Sequence, residues 1–173
     1  MAPFFNTVYA TEMSVTMQWR LGQKGFKILD VFNWHQTIEN NEMFLKFDVI
    51  SCLNLFDRCD KPVTLIKEIK SALKQGGYLI AALVLPFKPY VEYNRNNKPT
   101  ELFPFVSASS STSGTDFDEN RIVSEQITIL IEQVFRPLGF ELEKFTRLPY
   151  LCEGNLSQSF YYLIDYLFVF KSL

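Results

Sequence analysis

Asn54, Asp57, Arg58 and Asp60 follow directly on an apolar run, Phe47–Leu53, and directly precede the helix-start signal Lys61-Pro62. In an open parallel sheet, ligands bind in the crevice beyond the carboxyl ends of the strands. Asn54 and Asp57, three residues apart, would both reach a ligand at that edge. One offers an amide that donates and accepts, the other a carboxylate that only accepts. The ordinary alternative is turn and capping chemistry, for which Asn and Asp are common choices. Asp60 is the better cap candidate, which leaves Asp57 for other duty. Arg58 reads first as a surface or ion-pair residue.

Glu12 ends the short apolar segment Thr7–Glu12. In nucleotide-binding sheets an acid at such a strand end accepts hydrogen bonds from ribose hydroxyls; otherwise it is a solvated loop residue. His35 could serve as acid or base, but no partner for it is evident, so it reads as a loop histidine. Cys52, Cys59 and Cys152 read as small core residues. With one His in the chain they fall short of the four clustered ligands a zinc site wants. An odd cysteine count argues against a disulfide framework and for a reducing compartment.

The elements that must position these residues follow from pattern. Thr7–Glu12 and Phe26–Val31 read as short strands, joined by a helix that Ser14 caps and that Gly22 or Gly25 ends near Leu21. Asn33–Lys46 reads as loop with a helical turn. Phe47–Leu53 is the third strand. A helix from about Lys61 carries Leu65, Ile66, Ile69, Ala72 and Leu73 on one stripe and Lys67, Glu68, Lys70 and Lys74 opposite, and Gly76-Gly77 stops it. Tyr78–Leu85 is apolar on both faces, as a central parallel strand should be. Pro86–Glu92 leaves the sheet in extended form, and Tyr93–Asn120 is irregular, with a low-complexity, flexible insert at 107–115. Val123, Ile127, Leu130, Ile131 and Val134 mark another helix, ending near Pro137 and Gly139. Phe140–Thr146 and Tyr161–Phe170 are strands, with Leu148–Gly154 in the loop between them. Trp19, Trp34 and the phenylalanines are core or crevice wall by default. Alternating strands and helices followed by a loop-joined strand pair indicate an α/β fold with a mostly parallel sheet and one antiparallel strand.

Bulk composition narrows the classes. A chain of 173 residues with 47% hydrophobic and 16% aromatic residues, 17 of them Phe, is long enough for one domain with a substantial core. A formal charge of −2 gives no basic footprint for nucleic acid. The apolar run Tyr78–Phe87 is too short to span a bilayer, and the first six residues lack the features of a signal peptide. No Gly-x-Ser-x-Gly elbow and no Walker-type phosphate loop occurs, so hydrolase readings have no support.

Four blocks carry a resemblance: Tyr9–Ser14; Phe47–Cys59; Ala82–Phe87 with Pro89–Glu92; and Phe145–Gly154. In this order they resemble the DREV family, that of methyltransferase-like protein 9. The resemblance covers nearly the whole chain apart from the serine-rich insert. It implies a Rossmann-like class I methyltransferase sheet and S-adenosyl-L-methionine as cofactor. The implied activity is protein-histidine methylation, at the pros nitrogen (Nδ1) of histidine in His-x-His motifs of protein substrates. Residue by residue, it puts Glu12 on the cofactor ribose, Asn54 at the junction of cofactor and substrate, and Asp57 against the acceptor imidazole. Tyr150 falls in the same pocket, and Arg58 and the Pro86–Glu92 segment, with Pro86 and Tyr90, line the peptide groove. The family's first strand and its Asp-x-Gly-x-Gly-type loop lie upstream of where this chain begins, so the sheet is expected to lack them and activity to be in question. The resemblance further implies an intracellular protein of the endoplasmic reticulum or mitochondria, and we expect a monomer. A non-catalytic module that docks His-rich peptides is the competing reading. A nicotinamide-dependent enzyme is weaker, because the chain has no Gly-x-Gly-x-x-Gly.

Overall fold

Apolar strands that end in polar turns dominate the second part of the chain, and their pairing sets the architecture. The computed structural model describes residues 2–36, 38–39, 43–91, 96–106, 119–154 and 156–173. These residues divide into two units, Met1–Lys46 and Phe47–Leu173.

In the first unit, β1 (Tyr9–Thr11) pairs in parallel with β2 (Lys27–Leu29). Helix α1 (Val15–Gln23) crosses between them. Ser14 caps α1 as expected, its side chain accepting the Met17 N–H. Gly25, at φ +80°, takes the left-handed conformation that ends the helix. Trp34 lies in a 3-10 turn (Trp34–Gln36) and is buried, whereas Trp19 is 65% exposed and is not core. The segment read as loop also holds a two-residue antiparallel pair, β3 (Ile38–Glu39) and β4 (Met43–Phe44).

The second unit is a four-stranded sheet in the order β5-β6-β8-β7. Strand β5 spans Phe47–Leu53, the bounds its composition indicates. Helix α2 (Pro62–Ala72) follows, and β6 (Leu73–Val84) begins as soon as it ends. The expected stop at Gly76-Gly77 is therefore inside a strand. Gly76 sits at φ +74°, and a Cβ on Gly77 would lie 3.0 Å from the Asp48 carbonyl oxygen. Gly76 supplies the positive φ and Gly77 the close backbone approach at an irregular register between β5 and β6. Helix α3 (Glu119–Ile129) widens into a π turn (Leu130–Phe135) and closes with a 3-10 turn (Arg136–Leu138) and Gly139 at φ +80°. The wider turn brings Phe135, which the helical stripe omits, into the core beside Val134. Strands β7 (Phe140–Glu153) and β8 (Phe160–Ser172) form one long hairpin, paired as far as Glu153↔Phe160 with one register shift between Leu142 and Lys144. Leu148–Glu153 is thus strand, not loop: backbone pairing persists although these side chains are mostly exposed. β5 and β6 are parallel, and β8 runs antiparallel to both of its neighbours. It is the one antiparallel strand of this sheet.

One face of the sheet carries Leu79, Ala81, Leu83, Phe168 and Phe170, all at most 1% exposed. Phe135 stacks on Phe170 at 4.1 Å between ring centroids, which puts the α3 side of the unit over that face. Ile66, Ile69 and Ala72 of α2 are buried on the expected stripe. Lys70, on the opposite side, is not simply solvated: its ammonium donates to Ser172 Oγ at 2.7 Å and to the Leu173 carbonyl at 2.6 Å. The insert at 107–115 lies outside the described residues.

Candidate functional site

The turn after β5 is anchored by one side chain and stitched by backbone. Asn54 continues the ladder, its N–H donating to the Ala82 carbonyl at 3.0 Å, then takes φ +51°. Asn is one of the few side chains that visit this left-handed region readily, and here it turns the chain out of the strand. Phe56, 1% exposed, drops into the core edge-on to Phe103 and Phe135. The Leu55 carbonyl accepts from the Arg58 and Cys59 N–H groups, both at 2.9 Å. The segment after β6 braces the turn from outside: Tyr90 N–H donates to the Asp57 carbonyl at 2.7 Å. That segment is itself held by Gln126, a buried amide whose Oε1 accepts the Phe87 N–H at 2.9 Å.

Asp60 is not the cap of α2. Its carboxylate accepts from Thr100 N–H at 2.9 Å and Thr100 Oγ1 at 2.8 Å. The N-cap position falls to Lys61, which makes no side-chain cap bond. The first turn of α2 is served from a distance by Glu101, which accepts the Thr64 N–H at 2.8 Å and the Thr64 hydroxyl. Burial tends to raise the Glu101 pKa, but the hydrogen bonds from Thr64 and from the Val63 N–H outweigh it and hold the carboxyl below the usual range.

Asp57 is 6% exposed, with Oδ2 at 3.3 Å from Arg58 Nε. Among the described residues its Oδ1 receives no hydrogen bond. Burial pushes the Asp57 carboxyl above its ordinary value; the Arg58 charge opposes this, and the Asp165 charge adds to it. Asp165, on β8, is 7% exposed and accepts a hydrogen bond from Asn54 Nδ2 at 2.8 Å. Asn54 Oδ1 and Asp165 Oδ1 are likewise buried and without a donor among the described residues. Three neighbouring side chains thus each keep one buried, unused acceptor. A buried polar atom without a partner is costly and rare in native proteins, and this cluster has the chemistry to accept N–H or O–H donors.

Sequence reasoning missed Asp165. The available signal was a lone acid within the apolar strand Phe160–Phe170, since a carboxylate is almost never fully buried without a purpose or a pair. Tyr150 lies on β7, 41% exposed and paired with Leu163, while Leu148 pairs with Asp165. Alternation puts Tyr150 on the same face as Leu148 and Asp165, about 7 Å further along the strand. Arg58 and Tyr90 meet in a cation–π contact at 5.8 Å, and Pro86 lies earlier on the same segment, half-buried. Glu12 belongs to the first unit. Its Oε1 accepts the Ser14 N–H at 2.8 Å and its carbonyl accepts from Gln18 Nε2 at 2.6 Å. His35 sits in the Trp34–Gln36 turn, its Nε2 3.1 Å from Gln36 Nε2. Burial raises the Cys52 thiol and pushes the Cys59 thiol up to about 11, as suits unreactive core cysteines. No helix among the described residues is long and apolar enough to cross a membrane.

A parallel strand pair closed by an antiparallel strand, with polar side chains gathered at the carboxyl edge, is the arrangement of a Rossmann-like methyltransferase sheet, and the structural neighbours below share that fold. The DREV methyltransferase family profile matches residues 1–172, and the chain belongs to that family. Similar solved structures include a Streptococcus thermophilus protein named as a hemolysin (14% identity, TM-score 0.57, 96% of this chain and 50% of that one). A Bacillus halodurans protein named as a methyltransferase matches with 13% identity, TM-score 0.54, 98% of this chain and 84% of that one. The Bradyrhizobium japonicum N-methyltransferase NodS, solved with S-adenosyl-L-homocysteine, matches with 13% identity, TM-score 0.51, 99% of this chain and 69% of that one. At such identities the likeness is one of fold, and the chain spans half the length of the streptococcal protein.

Proposed function

We propose that this chain carries the acceptor site of an S-adenosylmethionine-dependent protein-histidine methyltransferase, with Asp57 as the residue that grips the substrate imidazole. The supporting observation is the buried Asp57 carboxyl, with one oxygen held toward Arg58 and the other without a donor among the described residues.

The unpartnered acceptors suit the cofactor as well as the substrate, because ribose hydroxyls and the methionine ammonium are donors. Asn54 at the sheet edge and Tyr150 on β7 would hold it. When bound it supplies an electrophilic methyl group on a sulfonium. Asp57 Oδ1 accepts the Nε2–H of a neutral imidazole, which fixes the tautomer with its lone pair on Nδ1 and aims that nitrogen at the methyl carbon. An imidazole with an ordinary pKa of about 6.5 is largely neutral at pH 7, so little deprotonation is needed before attack. Methylation leaves the ring cationic, and Asp57 stabilises that charge as an aspartate does for a triad histidine. It is also placed to take the Nε2 proton as the ring returns to neutral. Much of the rate enhancement then comes from orientation, which the anchoring of the turn by Phe56 and Tyr90 N–H provides. Arg58 and Tyr90 border the peptide.

The test is incubation of the full chain with labelled S-adenosylmethionine and a peptide containing His-Ala-His. Label on histidine Nδ1, lost with Asp57→Ala in a folded variant, is the expected result. Absence of transfer by the unmodified chain, or transfer indifferent to Asp57→Ala, overturns the reading.

A further inference from the structure

We infer that Asp165 is a specificity-determining positioning residue: by accepting Asn54 Nδ2–H at 2.8 Å it locks the amide with Oδ1 as its free face, so that Asn54, Asp57 and Asp165 each present a buried acceptor oxygen and together select nitrogen groups that bring N–H donors.

An asparagine amide is ambivalent, with two donors on one side and an acceptor on the other. Left to itself at a sheet edge, Asn54 would meet a ligand with either. The Asp165 carboxylate oxygen resolves the choice, because it takes the amide's N–H and so turns Nδ2 toward itself. Asp165 is fixed in the middle of β8, opposite Val84 on one neighbour and Leu148 on the other. Strand pairing on both sides fixes its backbone position. Asn54 is equally constrained, by the N–H bond to Ala82 and by its left-handed turn. The amide is thus held at both ends, and its oxygen joins Asp57 Oδ1 and Asp165 Oδ1 as unused buried acceptors. Such a set welcomes an imidazole N–H or an ammonium. A carboxylate, or a carboxamide presenting its oxygen, would face acceptor against acceptor in a partly dehydrated place, a mismatch that sites of this kind reject strongly. Asp165 acts through Asn54 on which ligand enters. The inference rests on the proposed acceptor site, but not on the group transferred there.

The experiment measures binding by the full chain of two peptides that differ only in His-Ala-His against Gln-Ala-Gln. It compares the unmodified protein with Asp165→Asn, in which residue 165 offers a donor as well as an acceptor and no longer dictates the amide. The unmodified chain should prefer the His peptide. Asp165→Asn should weaken His-peptide binding about tenfold, the scale of one hydrogen bond to a charged group, and leave Gln-peptide binding unchanged or stronger, so the ratio narrows. A merely structural role would lower both affinities together and keep the ratio. If Asp165→Asn does not fold, Asn54→Gly, which suits the positive φ, removes the amide and should narrow the same ratio. A preserved ratio in the folded variant, or no preference in the unmodified chain, overturns the inference. Selective binding without methyl transfer overturns only the enzymatic reading; methyl transfer with a preserved ratio overturns only this inference.

Discussion

Glu12 and Asp57 both stand just beyond a strand and just before a helix, yet the chain treats the two acids differently. Glu12 is partly committed locally: one carboxylate oxygen takes the Ser14 N–H at the start of α1. Asp57 has no such duty, because α2 is capped remotely by Glu101 and Asp60 is engaged with Thr100. Its backbone is pinned, its side chain is buried and one of its oxygens is unused among the described residues. The difference teaches that an acid's availability depends on who else serves the neighbouring helix start. With that task at residue 101, the Asp57 carboxylate carries no capping duty.

The largest expected effect comes from removing the anchor. Phe56→Ala empties a site between Phe103 and Phe135 and should cost about 3–5 kcal/mol in denaturant unfolding. With the turn loosened, Asp57 would become as accommodating as an ordinary loop acid. Next is Asp57→Asn. It should lower methyl transfer about a hundredfold, as loss of a positioned proton acceptor does, while raising stability at neutral pH. The sign follows from linkage: the folded state holds the Asp57 proton more tightly than the unfolded chain, whose value is about 3.9. Stability therefore falls as pH rises from that value through the raised folded one. The gain from the amide should vanish on acidification, which unfolding curves across pH would record.

Glu101→Gln sharpens the comparison from the other side. It weakens the remote cap and should cost about 1 kcal/mol. Here the sign is opposite, because the Glu101 pKa is lowered. Its contribution is present above the ordinary carboxylate range and lost as pH falls through the folded value, so variant and parent should converge in acid. Glu12→Gln should have the smallest effect on stability, about 0.5 kcal/mol, since it removes only a charge near an exposed helix start.

The chain made the site's strand legible because β5 is a compact apolar run bounded by polar turn residues, and its seven residues are the ones observed. Helix starts were less legible. Asp60 has the right type and place for a cap, but Thr100, forty residues away, claims it, and no local pattern announces that contact. The hairpin was misread because Leu148–Glu153 is exposed and lacks alternating burial, while its pairing is set by β8. Asp165 escaped for a related reason. Its partner Asn54 lies 111 residues away in sequence, and only the strand order β5-β6-β8 brings the two together. The left-handed backbone at Asn54 and the burial of Asp57 were likewise tertiary facts.

The most direct test is the titration of Asp57 itself, followed by carboxyl carbon NMR in the full chain with and without a His-Ala-His peptide. In the free protein Asp57 should titrate above the ordinary aspartate range, and the peptide should draw it downward, because an N–H donor on Oδ1 favours the ionised form. An Asp57 that titrates as an ordinary solvated aspartate, and does not respond to the peptide, would contradict a buried carboxyl waiting for an imidazole.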